Sequence, residues 1–443
     1  MQPITVVLLG TLLMAAWPAY NLILVVFATR DTATAGTRRR RDAVTPTGHE
    51  PETFWIIVPC LNEERVVGRT VSSALALSGP AGTRTRVLVV DDGSDDGTPA
   101  VLAGIGQAGL VVLRRDPPEA RKGKGEALNA AYQMIRDLTL ADGADPARVA
   151  VGVIDGDGRG SENLLREVAR LMRDGDVAGV QCRVRIHNRD RVLAAIQDLE
   201  FACVANASQL MRDYLGTVGL GGNGQFVRLS SLIRLGDAPW SKCLVEDLEL
   251  GLRIHLAGER IRYTGLGAVT QQGLVDVKRL LRQRTRWAQG NLQCVRYVPK
   301  LIGARHIGNG ALVELLYYLL APWLNAFGMV AVVVLWASAI WHLSTGIGPA
   351  FVSGWAELGG LVAMWAAGML APGVLWGVLH RIQLRDERSI RLALAALSYP
   401  VFLMLGLVST WRAIGRQVSG RQAWAKTERL PDVPARESAL VSN

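Results

Sequence analysis

Residues 149–158 read Val-Ala-Val-Gly-Val-Ile-Asp-Gly-Asp-Gly, and no other stretch restricts the fold as strongly. An apolar, β-branched run of this kind is expected to be a strand covered on both faces, which calls for helices above and below its sheet. It delivers Asp155 and Asp157 to the point where the strand stops. Alternate side chains of an extended backbone share a face, so the two carboxylates are expected to point the same way. Gly156 and Gly158 leave room for close approach. Two acids so placed can share one hard cation, because Mg2+ or Mn2+ takes few protein carboxylates and fills its shell with water and phosphate oxygens. A lone Asp-x-Asp is equally an acidic turn after a strand. Other charged signals that fit the same sheet edge favour the cation.

From residue 53 to 300 short β-branched runs alternate with helical patterns, which predicts an α/β domain with helices packed on its sheet. Strands are expected at 54–58, 86–90, 110–113, 149–154 and 177–182. Ligands of such sheets sit beyond the carboxyl ends of the strands, where the polar motifs fall. The first strand runs into Pro-Cys-Leu-Asn-Glu-Glu (59–64) and the second into Asp-Asp-Gly-Ser-Asp-Asp-Gly-Thr (91–98). In the second, Asp91 or Asp92 can accept hydrogen bonds from a uracil ring or a ribose, while residues 94–98 can cap the next helix or form a plain turn.

The basic loop 121–129 places Lys122 and Lys124 at a helix N-terminus, where flexible ammonium groups can meet a diphosphate or simply stay solvated. The glycine-dense segment 219–226 either turns or lets a loop approach a sugar. Residues 245–258 read as a helix with Glu246 and Asp247 in its first turn. A carboxylate there, beside a cleft, can take a proton from an attacking hydroxyl, or can do no more than favour the helix dipole. Gln283, Arg286 and Trp287 share one side of a strongly basic helix, where an indole can stack on a sugar and an Arg can bind phosphate. An amphipathic helix on a lipid surface accounts for Lys278, Arg279, Arg282 and Arg284 without any chemistry.

Composition adds the membrane. A chain of 443 residues with 49% hydrophobic residues and a mean hydropathy of +0.20 suits a soluble domain joined to spans. The net charge of +10 is spread over a surface able to face anionic lipid or nucleotide phosphate, and no nucleic-acid motif is present. Five scattered cysteines and six dispersed histidines suggest neither a disulfide frame nor a zinc site.

Residues 4–29 are expected to form a retained anchor within an N-terminal segment, 1–30. A basic linker follows at 31–52, whose Arg run at 38–41 places the later chain in the cytosol. The catalytic domain is expected at 53–300, a C-terminal transmembrane region at 311–411 and a basic tail at 412–443. Three apolar stretches (312–341, 355–379, 390–411) fill that region. Three full crossings would carry the tail outside, whereas Arg412, Arg416, Arg421 and Lys426 favour inside. Pro322, Pro372 and Pro400 mark where one stretch can be broken or re-entrant.

Taken in order, residues 59–64, 91–94, Asp155-Gly-Asp157, Glu246-Asp247 and Gln-Arg-Thr-Arg-Trp (283–287) resemble the membrane-integrated family 2 glycosyltransferases. In layout the chain is similar to bacterial poly-N-acetylglucosamine, cellulose and hyaluronan synthases. The resemblance covers roughly residues 53–297 and implies a GT-A fold, nucleotide-sugar-binding and Rossmann-like. It further implies that Asp92 helps hold the nucleotide, that Asp155 and Asp157 handle the diphosphate and metal, that Asp247 is the base, and that Gln283, Arg286 and Trp287 close the acceptor site. Val245 stands where cellulose synthases often carry Thr, and no regulatory domain follows the last apolar stretch, which counts against cellulose.

The function so implied is an inverting, processive transfer from a UDP-sugar to a growing β-linked polysaccharide at the cell membrane. It would use Mg2+ or Mn2+, the carboxylates of Asp247 and Glu246 as catalytic groups with Asp247 the base, and Lys124 at the diphosphate. The chain would be multi-pass with a cytosolic catalytic domain. A glycolipid-forming transferase acting on a lipid acceptor is the alternative, and a non-catalytic nucleotide-sugar sensor is the third.

Overall fold

The computed structural model describes residues 19–30, 48–347 and 352–421. The expected anchor and linker lie largely outside the described residues, as does the tail beyond 421. The described part of the anchor is an apolar helix, α1 (Ala19–Arg30). All five expected strands are present: β1 (Thr53–Cys60), β2 (Arg84–Asp91), β3 (Leu110–Arg114), β4 (Val149–Val153) and β6 (Val177–Ile186). Three more complete an eight-stranded sheet: β5 (Arg159–Gly160), β7 (Gln225–Arg228) and β8 (Arg260–Gln271), in the order β3-β2-β1-β4-β7-β6-β8-β5.

The first four strands of that order are parallel, with Cys60 opposite Asp91 and Ile57 opposite Val153. Their carboxyl ends therefore lie on one edge. β7 runs antiparallel to both β4 and β6, so the sheet is mixed. The period-2 pattern did not reveal β7 or β8. β7 is only four residues long, and β8 is interrupted by Gly265 and Gly267 beside a register shift at Cys182/Arg183.

Side-chain alternation along β1 divides the core in two. Phe54, Ile56 and Val58 meet α2 (Val67–Leu75), α3 (Thr98–Ala103) and α5 (Leu164–Leu171) through Val71, Leu102 and Val168. Trp55 and Ile57 belong to the opposite core with Leu128 and Tyr132 of α4 (Lys124–Ala141), Leu232 of α8 (Leu229–Arg234) and Ile254 of α9 (Glu246–Leu256). Each such buried side chain contributes about 1.5–3 kcal/mol of transfer free energy. That firmness matters because α4 and α9 begin at the sheet's carboxyl edge and carry Lys124, Glu246 and Asp247 in their first turns.

Below the sheet lie α6 (Val192–Leu199), a π-helical turn (Glu200–Ala205), α7 (Asn206–Leu215), α10 (Val277–Cys294) and α11 (Val298–Gly303). They are followed by α12 (Asn309–Thr345), α13 (Trp355–Gln383) and α14 (Ser389–Val418), each long and apolar enough to cross a membrane. At about 1.5 Å per residue all three exceed a hydrocarbon core of about 30 Å. Not all of α12 need be in that core, since Leu315 and Leu319 pack with Leu248 and Leu252 of α9.

Both ends of α14 touch the domain that bears the sheet. At one end Glu387 pairs with Arg391 and with Arg189. At the other, Gln289 of α10 donates to the Gln417 side chain and the Arg421 carbonyl and accepts from Arg416. Between them Ala395, Tyr399 and Phe402 pack with Ala195 and Leu199 of α6, while Ile390, Leu394, Leu397, Val401, Met404 and Val408 form an exposed apolar stripe. Both ends of this helix are thus tied by polar contacts to elements of the sheet-bearing domain.

Candidate active site

A cavity of about 1040 Å³ starts at the carboxyl edge of the sheet and continues between α12, α13 and α14. Asp92, Lys124, Asp155, Glu246, Asp247, Gln283, Arg286 and Trp287 all line it. Residues from 92 to 287 thus meet at one surface because three loops and two helix N-termini converge on the ends of β1, β2 and β4.

At its centre the Lys124 ammonium lies 2.6 Å from Asp155 Oδ1 and 3.7 Å from Glu246 Oε1. A lysine in the first turn of a helix opposes the macrodipole, so these acids are what hold it there. Gly123, at φ 119°, makes the entry into α4 that sets its position. Burial works against the Lys124 charge, yet Asp155, Glu246 and Asp247 outweigh burial and lift its pKa. Burial likewise pushes the Glu246 carboxyl up to about 7, with Lys124 opposing and Asp247 adding to the rise. Asp247 is also raised, mainly by burial and against the pull of Lys124. Its Oδ1 accepts the Leu248 backbone N–H at 2.8 Å.

The glycine-dense segment belongs to this cluster. Asn223 Oδ1 accepts the Asp155 N–H at 3.2 Å, and Gln181 Oε1 accepts the Gly221 N–H at 2.8 Å. A Cβ at Gly222 would stand 2.8 Å from Lys124 Nζ and 3.0 Å from Asp247 Oδ2. Both are ends of mobile side chains that can give way, so Gly222→Ala is expected to fold with a melting temperature near that of the parent. Transfer should fall about tenfold or more, since small misplacements of reacting groups are expensive. Melting and transfer measured on one preparation check this, and unaltered transfer would mean that the contact does not matter.

Asp92 lies where the resemblance implies, whereas the Asp155/Asp157 pair departs from the expectation. Of Asp91 and Asp92, Asp92 faces the cavity, paired with Arg115 at 2.5 Å and accepting the Arg121 N–H at 3.1 Å. Burial raises its pKa and Arg115 pulls it back. Asp91 is buried, paired with Arg114 at 2.5 Å and accepting the Ser94 N–H. Asp155 and Asp157, expected to point the same way, do not both reach the cavity. β4 ends at Val153 and residues 156–157 turn, so strand alternation no longer applies. Asp157 is buried and its Oδ2 accepts the Gln272 N–H at 2.9 Å.

Among the described residues no group of three or more His, Cys, Asp or Glu could cage a metal. Magnesium or manganese at a diphosphate needs only one or two carboxylates, and the Asp155 carboxylate at the cavity wall fits that donor set.

On α10, Arg286 Nη1 donates to the Leu244 carbonyl at 3.1 Å, tying the helix to the loop that leads into Glu246. The Trp287 ring lies 4.6 Å from the Arg284 guanidinium and edge-on to Phe201 at 6.4 Å. Arg284, which an amphipathic helix on a lipid surface would also account for, turns inward and pairs with Glu200 at 2.9 Å, whereas Lys278 and Arg282 are exposed. An apolar surface would leave the Glu200 carboxylate uncompensated, and Arg284 supplies the charge it needs. Sequence reasoning passed over Glu200, Phe201 and Asn291, and also the lining from α12 to α14. Two acids, Asp198 and Glu200, in the otherwise largely apolar run 192–205 were the available signal for Glu200.

Solved structures and known sequences bear on the fold and family. A mannosyltransferase from Pyrobaculum calidifontis, solved with GDP-Man and Mn2+, superposes with a TM-score of 0.55 over 88% of this chain and 98% of its own, at 19% identity. The two share the GT-A glycosyltransferase fold. Beta-monoglucosyldiacylglycerol synthase of Trichormus variabilis is 30% identical over 275 residues, which is 61% of this chain and 55% of that one. Poly-beta-1,6-N-acetyl-D-glucosamine synthase of Staphylococcus aureus is 26% identical over 244 residues, 54% and 55% of the two chains. The match thus spans little more than half the length of either relative. The description "Glycosyltransferase like family 2" matches residues 51–290, more than half of the chain, and the protein therefore belongs to glycosyltransferase family 2.

Proposed function

We propose that the protein transfers a sugar, with inversion, from a UDP-sugar to a hydroxyl of a membrane lipid. One observation carries the choice of acceptor. The cavity that holds Asp155 and Asp247 runs on into a chamber walled by Met329, Val332, Met364, Trp365, Leu403 and Met404 of the three long helices. Such a wall suits acyl or prenyl chains, and the match to a glucosyldiacylglycerol synthase agrees with it.

Asp247 takes the proton of the acceptor hydroxyl, whose oxygen attacks the anomeric carbon in line, while Lys124 faces the departing diphosphate. Asp92 holds the nucleoside and Trp287 backs the sugar. Asp155 would hold Mg2+ or Mn2+, which supplies positive charge to the leaving diphosphate, while Asp157, turned away from the cavity, holds the Gln272 backbone. Glu246 tunes the Lys124 charge and stands next in line as base.

The test is membranes incubated with labelled UDP-sugars, with and without EDTA, followed by chloroform partition. Label in a short, chloroform-soluble glycolipid is expected. Processive polymer synthesis is the second reading, favoured by the placing of Gln283, Arg286 and Trp287 along the cavity wall. Long, water-soluble product would install it instead.

In this reading α12 and α13 cross the bilayer and α14 lies along its boundary, with the catalytic domain in the cytosol. Exposed positions 242 and 418, made cysteine with partly exposed Cys243 replaced by Ser, should react with an impermeant maleimide from the same side of sealed vesicles. Labelling from opposite sides would return α14 to a full crossing.

A further inference from the structure

Two amides on the cavity wall have no role in the transfer step above. Asn291 lies one turn beyond Trp287 on α10 and is only 8% exposed, and its buried Oδ1 has no hydrogen-bond partner. Buried polar atoms of this kind are rare because leaving one unpaired is costly. A carboxamide can turn end for end, so the Asn291 side chain can present either its N–H or its oxygen to the cavity it borders.

Asn325 stands on the cavity face of α12, in step with Tyr318, Pro322, Met329 and Val332 at spacings of three and four residues. It is exposed and makes no hydrogen bond to any described residue. Pro322 has no N–H, so the Tyr318 carbonyl four residues earlier loses its helical donor on that same face. An amide inside an otherwise apolar membrane helix is expensive unless it meets a polar partner, and here it opens into the chamber that would receive the acceptor.

We infer that Asn291 and Asn325 hold the ester-bearing segment of a glycerolipid acceptor, and so select a lipid whose reacting hydroxyl has carbonyl oxygens a few bonds away. The inference rests on the lipid reading proposed above. Amide N–H groups donate well to ester carbonyls and poorly to ether oxygens. With the hydroxyl at Asp247, the ester carbonyls meet the amides and the chains pass on between Met329, Trp365 and Met404. A prenol or simple long-chain alcohol offers the amides nothing to bind.

The test uses the purified full chain in detergent micelles with a UDP-sugar and three acceptors: a 1,2-diacylglycerol, the matching 1,2-dialkylglycerol and a long-chain prenol. The parent should favour the diester over the diether by about tenfold in kcat/KM, the scale of one buried hydrogen bond. Asn291→Leu should lower kcat/KM for the diester and leave that for the diether, bringing the ratio towards one with UDP affinity intact. Should Asn291→Leu not fold, Asn325→Leu, an apolar change in an apolar helix, reads the same ratio. General damage to the fold lowers both acceptors together. A parent without ester preference, or a ratio unmoved by either substitution, overturns the inference while leaving the lipid reading in place. Transfer to no lipid at all, with polymer made instead, overturns that reading and the inference with it.

Discussion

Asp247→Asn is expected to fold and to bind UDP with near-parental affinity, while its transfer rate falls about a hundredfold or more, the usual effect of losing a general base. A carboxylate that served only the α9 dipole would cost about 0.3–1 kcal/mol of stability and leave turnover nearly intact. Calorimetric UDP affinity and sugar transfer, measured on the same preparation, separate the two. Retention of more than about a tenth of the activity would pass the role of base to Glu246, which shares the cavity wall and the Lys124 ammonium.

The same cluster sets the pH dependence. Glu246 is pushed up to about 7 and Asp247 is raised as well, so the two carboxylates gain protons as pH falls through that region. A protonated acid cannot act as base, and kcat/KM should drop on the acid side of about pH 7, with an apparent pKa that belongs to the pair. The stability sign is opposite to that of a salt-bridged acid. Because Glu246 binds its proton more tightly folded than unfolded, its contribution weakens as pH rises from about 4.5 to about 7.

Lys124→Met should have the second large effect. It leaves Asp155, Glu246 and Asp247 around a buried place with no cation, and removing one partner of a buried pair costs about 3–5 kcal/mol. The cluster opens to the cavity, with side chains 17% exposed at Lys124 and 24% at Asp155, so the lower end applies. Coulomb repulsion raises both Glu246 and Asp247 further, so the acid limb of the rate profile should move to higher pH, and activity lost at neutral pH should partly return in alkaline buffer. The destabilisation should shrink as pH falls and the acids take up protons. Denaturant melts at pH 5.5 and 8 beside a pH–rate profile test both statements. A limb that stays in place would mean that Lys124 does not set the charge state of the pair.

Several features were legible in the chain before any fold was known. β1, β2 and β4 stood out because an apolar β-branched run has few other uses, and the acids at their ends followed from it. Gln283, Arg286 and Trp287 could be put on one helix side from spacing alone. The apolar lengths of α12, α13 and α14 could be counted directly. All of these are local: they depend on periodicity within a dozen or two residues.

What only the tertiary structure decided involves partners far apart in sequence. Whether Asp91 or Asp92 meets the cavity depends on Arg114 and Arg115, one β-strand away. Asp155 and Asp157 part company because the backbone turns at 156–157 and the Gln272 N–H, more than a hundred residues on, captures one of them. Arg284 faces inward because Glu200 lies opposite, and no helical wheel of α10 contains Glu200. Hydropathy marks α14 as long and apolar enough to span, whereas the contact of Gln289 with Gln417 and Arg421 at its end is seen only in the tertiary structure. Hydropathy measures how readily a helix enters lipid, whereas the polar contacts at its two ends join residues more than a hundred positions apart, which no local pattern records.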